Sequence, residues 1–131
     1  MTDGVFNTRT QNIFAHQKKR ARAIHRGCEI DYALGDLREL VRGLLGRGCP
    51  YCGVTITASN FSVDHRQPIT RGGSFGYENL EPCCVRCNAL KGALTYQEFE
   101  LLMATIAHWE PFARKNLLAR LAAGGKLINR S

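Results

Sequence analysis

Apolar positions recur along this chain in helical blocks on either side of a polar, glycine-rich middle. Leu37, Leu40, Val41, Leu44 and Leu45 follow the i, i+3, i+4, i+7, i+8 spacing of one helix face. Asp36 is placed to cap that helix, and Gly46 and Gly48 stop it. Phe99, Leu102, Met103 and Ile106 predict another helix, opened by a capping box of Thr95 and Glu98. Pro111 breaks it or starts the next, in which Phe112, Leu117, Leu118 and Leu121 form the apolar face and Gly124-Gly125 the end. Trp109 and Met103 read as core. Nearer the start, Phe14, Ala21 and Ile24 are sparse apolar positions among Lys18, Lys19, Arg20, Arg22 and Arg26. Residues 13–25 therefore read as a helix with a basic face, residues 1–12 as a loose end and 27–34 as a connection. In the middle, Val54, Ile56, Phe61 and Val63 predict two short strands around a turn at 57–60. Asp64 and His65 follow at a strand end, 68–76 is a loop, and a helix starts at about Cys84.

Length places these elements in one domain: 131 residues bury a modest core. With 44% hydrophobic and 22% charged residues the composition is that of a globular protein. Charge changes the picture more. Eighteen Lys and Arg against 11 Asp and Glu leave a net charge of +7, which suits a polyanionic partner. Neither a signal-peptide core nor a membrane-length apolar run is visible, so the expected setting is cytoplasmic, without a membrane partner. In a reducing compartment six cysteines are not a disulfide framework. Their spacing gives the better reading. Cys49-Pro50-Tyr51-Cys52 and Cys84-Val85-Arg86-Cys87 are two C-x-x-C pairs, the pattern of a four-thiolate site for structural Zn²⁺. The stretch 53–83 between them is longer than the roughly 15 to 20 residues of a zinc ribbon, so something further is inserted there. Cys28 and Cys83 are left over and read as small apolar side chains.

The insert carries Val63-Asp64-His65-Arg66-Gln67-Pro68-Ile69, then Arg71-Gly72-Gly73, then Glu78-Asn79-Leu80. Cys87-Asn88-Ala89-Leu90-Lys91-Gly92 follows the second pair. This ordered set resembles the HNH endonucleases, the ββα-metal nucleases, over about Cys49 to Gly92, a third of the chain. The resemblance implies an α+β fold: a small ββα-metal (His-Me finger) core stapled by the four-Cys zinc site, with flanking helices. It divides the chain into a basic helical extension (1–47), the stapled core (48–93) and C-terminal helices (94–131), compact as one unit. It implies His65 as general base, Asp64 and Asn88 as ligands of one catalytic divalent metal, and Asn79 as a positioning residue. Asn88 stands where His is the commoner third residue, an HNN variant, which leaves Mg²⁺, Mn²⁺ or another divalent ion open. Carboxylate and amide oxygens suit a hard cation.

The chemistry is consistent on its own terms. Phosphodiester hydrolysis needs an activated water and stabilisation of charge on the phosphate, and a neutral imidazole takes a proton near neutral pH. The expected function is a metal-dependent DNA endonuclease, nicking or double-strand, leaving 5′-phosphate and 3′-hydroxyl ends. Oligomeric state, monomer or homodimer, stays open. Two other readings stand beside it: a non-catalytic zinc-stabilised nucleic-acid-binding module, and a zinc-stapled protein-interaction module. Lys91, Arg66, Arg71 and Arg86 read equally as phosphate contacts or solvated charges. His16, His25 and His108 read as non-catalytic.

Overall fold

Between Phe61 and His65 the buried residues Phe61, Val63 and His65 alternate with the half-buried Ser62 and Asp64, the period of a strand with one face on a core. In the computed structural model, which describes residues 2–24 and 30–123, this strand (β1, Phe61–His65) pairs antiparallel with β2 (Leu80–Cys84). The register sets Phe61 opposite Cys84 and His65 opposite Leu80. Val85 N–H donates to Asn60 O and Arg66 N–H to Asn79 O, just beyond the two ends of the ribbon. The alternation between those bonds makes Val63 and Pro82 a non-hydrogen-bonded pair, so the donor that proline lacks is not needed there. α3 (Val85–Lys91) follows β2 directly and packs on β1, completing a ββα unit.

Helices surround this unit. α1 spans Thr2–Ile24 and α2 Leu34–Arg42, while α4 (Tyr96–Ile106) and α5 (Pro111–Ala122) follow α3. Short 3₁₀ turns at Ile69–Arg71 and Tyr77–Asn79 lie in the connection between the strands. The architecture is thus α+β, as the sequence predicts. Its core joins Leu37 and Val41 of α2, Phe61 of β1, Phe99 and Ile106 of α4, and Leu118 of α5. The capping box of α4 is formed in full: Glu98 N–H donates to Thr95 Oγ1 at 3.1 Å, and Thr95 N–H to Glu98 Oε1 at 2.9 Å. Asp36 accepts from Ala33 N–H at 2.9 Å from within the first turn of α2, which begins earlier than predicted.

Four expectations are revised. The ribbon is β1 with β2, and 54–56 contributes only an isolated bridge between Gly48 and Thr55. Residues 2–12 are helical rather than loose. Tertiary contacts hold them there: the Phe6 ring lies 5.7 Å from Phe61, and the Arg9 guanidinium donates to Ala58 O at 2.8 Å and Phe61 O at 2.6 Å. Trp109 is 43% exposed rather than core, because it sits in the turn between α4 and α5. Phe112, expected on the apolar face of α5, is 74% exposed. Cys28, His25, Arg26 and Gly124-Gly125 lie outside the described residues.

Candidate active site and zinc centre

The first C-x-x-C pair sits on a tight turn. Gly53 N–H donates to Cys49 O at 2.9 Å, and Cys49 N–H to Val54 O at 2.8 Å. Gly53 has φ of +81°, a conformation in which a side chain would be strained. The second pair spans the start of α3, where Cys84 is the N-cap and its sulfur accepts from Cys87 N–H at 3.3 Å. The two turns bring four sulfurs together: Cys49, Cys52, Cys84 and Cys87 Sγ all lie within 4.8 Å of one another. The Cys52–Cys84 separation is 3.7 Å. Zinc–sulfur bonds of about 2.3 Å in a tetrahedron require sulfurs roughly 3.8 Å apart, so the donor set fits Zn²⁺. Burial and the neighbouring thiol groups push Cys87 above the usual thiol range, a penalty that a central dication removes. Cys83, next to Cys84, points to the opposite face of β2, as successive strand residues must, and is fully buried in the core.

At the other end of β1, Asp64 and His65 meet α3. His65 is 5% exposed. Its ring stands edge-on to Phe75 with centroids 5.5 Å apart, and its Nε2 has no hydrogen-bond partner among the described residues. Burial lowers the His65 pKa; Asp64 opposes this, and the charges of Arg20 and Lys91 add to it. Asn88 Nδ2 donates to Ser62 Oγ at 2.6 Å, which fixes the amide plane on the face of β1 that also bears Asp64. Asp64, His65 and Asn88 line one cavity of about 400 Å³.

Asn79 lies outside that cavity. Its Nδ2 donates to Gln67 O at 2.9 Å and Ser74 O at 2.8 Å, while its Oδ1 accepts from Gln67 N–H at 2.9 Å. The side chain thus ties down the loop that leaves His65. The basic residues near the motif are nearly all engaged. Lys91 is wholly buried: Nζ lies 2.8 Å from Asp64 Oδ2 and donates to His65 O at 3.0 Å. Arg66 packs over the Tyr96 ring at 3.9 Å and pairs with Glu81 at 3.2 Å, and Arg71 pairs with Glu98. Only Arg86 of the four is an exposed side chain without such a pair among the described residues.

Sequence reasoning missed one wall of the cavity altogether. Asn12, Ile13, His16, Gln17 and Arg20 of α1 line it together with the β1 and α3 residues. Nothing in the chain order announces this, because a basic helix reads the same whether it faces solvent or a site. His16, read as non-catalytic, is one of these lining residues.

The ββα unit thus carries the Asp64-His65 strand end, Asn88 of α3 and the four-cysteine cluster within one continuous stretch of chain. Residues 49–94 match the family model described as HNH endonuclease, and the four cysteines fall within that segment. The chain therefore contains an HNH domain, as its motifs predict. No curated protein matches the chain. No helix among the described residues is long and apolar enough to cross a membrane.

Proposed function

We propose that the protein is a metal-dependent DNA endonuclease whose catalytic core is the segment 48–93, flanked by 1–47 and 94–131. The observation that supports it best is a buried histidine with an unpaired Nε2 on the same cavity as Asp64 and Asn88. His65 accepts the proton of the attacking water at Nε2. The water oxygen bonds to phosphorus, the P–O3′ bond breaks, and the departing 3′ oxygen is protonated from solvent, leaving 5′-phosphate and 3′-hydroxyl ends. Asp64 and Asn88 offer one carboxylate and one amide oxygen, donors that fit Mg²⁺ or Mn²⁺. Such a cation, when bound, would supply positive charge to the phosphate and leaving-group oxygens. Lys91 holds Asp64 and the His65 carbonyl in place, and Asn79 holds the loop that follows His65. The net charge of +7 suits a DNA backbone.

Plasmid cleavage tests the reading. Wild type nicks supercoiled plasmid with Mg²⁺ or Mn²⁺, while His65→Ala and Asn88→Ala lose at least about 100-fold in rate. A wild type inert in every divalent metal, or a His65→Ala variant that cuts at the parental rate, would falsify it.

A further inference from the structure

We propose that Arg20 of α1, outside the matched HNH segment, is a catalytic residue that binds the non-bridging oxygens of the phosphodiester under attack. The proposal rests on the nuclease reading above and deepens it.

The placement follows from two element lengths. α1 is fastened to the start of β1 by Phe6 against Phe61 and by Arg9 on Phe61 O. The helix rises about 16 Å from Arg9 to Arg20. β1 advances about 13 Å from Phe61 to His65. A helix that meets the start of the strand at Arg9 therefore meets its end, the Asp64-His65 pair, at Arg20. Arg20 accordingly lines the cavity with Asp64, His65 and Asn88. Its guanidinium carbon lies 6.0 Å from the centroid of the Phe75 ring, the ring that stands edge-on to His65.

Chemistry distinguishes Arg20 from its neighbours. Arg66, Arg71 and Lys91 are each paired with a carboxylate. Arg20 has no carboxylate partner among the described residues and is the single Lys or Arg lining this cavity. A half-buried, unneutralised guanidinium facing a histidine base is suited to a group that gains negative charge during reaction. The attacked phosphate is such a group, and a planar guanidinium offers it two parallel N–H donors. Proton transfers are unchanged by this: Arg20 donates hydrogen bonds and keeps its protons.

The test is steady-state cleavage of a short duplex by full-length wild type, Arg20→Ala, Arg20→Lys and Lys115→Ala, with His65→Ala as reference. Lys115 is an exposed cation on α5, so Lys115→Ala removes the same charge away from the cavity. Arg20→Ala is expected to lower kcat about 100-fold or more with KM within about threefold, the loss typical of a donor to a transition-state oxyanion. Arg20→Lys recovers part of the rate, added guanidinium ion restores part of the Arg20→Ala rate, and Lys115→Ala cuts as wild type does. Thermal midpoints of all variants stay within a few degrees of the parent. Arg20→Ala at the parental kcat, or a loss confined to KM, overturns the proposal while a dead His65→Ala leaves the nuclease reading standing. An unstable Arg20→Ala paired with a fully active Arg20→Lys assigns Arg20 a structural role and likewise overturns it. An inert wild type overturns both readings.

Discussion

An imidazole removed from water loses the hydration that stabilises its charged form, so the environment of His65 sets the pH at which it could serve as the proposed base. Burial lowers its pKa from the ordinary 6.5, and Arg20 and Lys91 lower it further against the pull of Asp64. The base form is the neutral one, populated above that pKa. Cleavage is therefore expected to reach half its plateau rate below pH 6.5, in a kcat/KM profile measured from pH 4.5 to 8. A fall already centred above 6.5 would contradict a buried base. At this scale the positions that make up the candidate site, though not their roles, were largely legible in the sequence. Asp64, His65, Asn79 and Asn88 were picked out by motif order, and the structure shows three of them on one cavity with Asn79 in the adjoining loop. Lys91 was not legible. Sequence offers a lysine on a helix; only the fold shows it with no exposed side-chain surface, neutralised by Asp64 and spent on a backbone carbonyl.

Elements with local signals were readable, and those that depend on distant partners were not. The Thr95–Glu98 box sits three residues apart and needs only its own backbone, so the start of α4 was predicted correctly. Thr95→Ala is expected to cost about 1 kcal/mol, read as a fall of roughly 4 °C in the thermal midpoint. An unchanged midpoint would mean that the cap contributes nothing. β2 was missed because its partner lies far along the chain and Pro82 argues against a strand until its pairing position is known. The first half of α1 was missed for a related reason. Its sequence has weak amphipathic pattern, and the contacts that hold it, Phe6 and Arg9 on β1, become visible only when the chain has folded.

Two cysteine turns from either side of the candidate site meet at one end of the molecule. Cys49-Cys52 lies before β1 and Cys84-Cys87 links β2 to α3, so a metal ion held between them would close the ββα unit into a loop. Purified protein is expected to carry about one tightly held zinc per chain, and Cys49→Ser to lose both the zinc and the cooperative unfolding transition. Cys83→Ala, on the opposite strand face, keeps its zinc. Metal analysis with thermal melts checks both, and a zinc-free protein with an undisturbed melt would rule the centre out. The same compactness has a bearing on solubility. A ribbon of two strands has two open edges, and unpaired carbonyls on such an edge invite a strand from another molecule. On the outer side of β1 the Phe61 carbonyl is taken by Arg9 and the His65 carbonyl by Lys91. Two cationic side chains, one at each end of β1, thus occupy acceptors that a foreign strand would need on that edge, and Pro82 at the middle of β2 offers no N–H on the other.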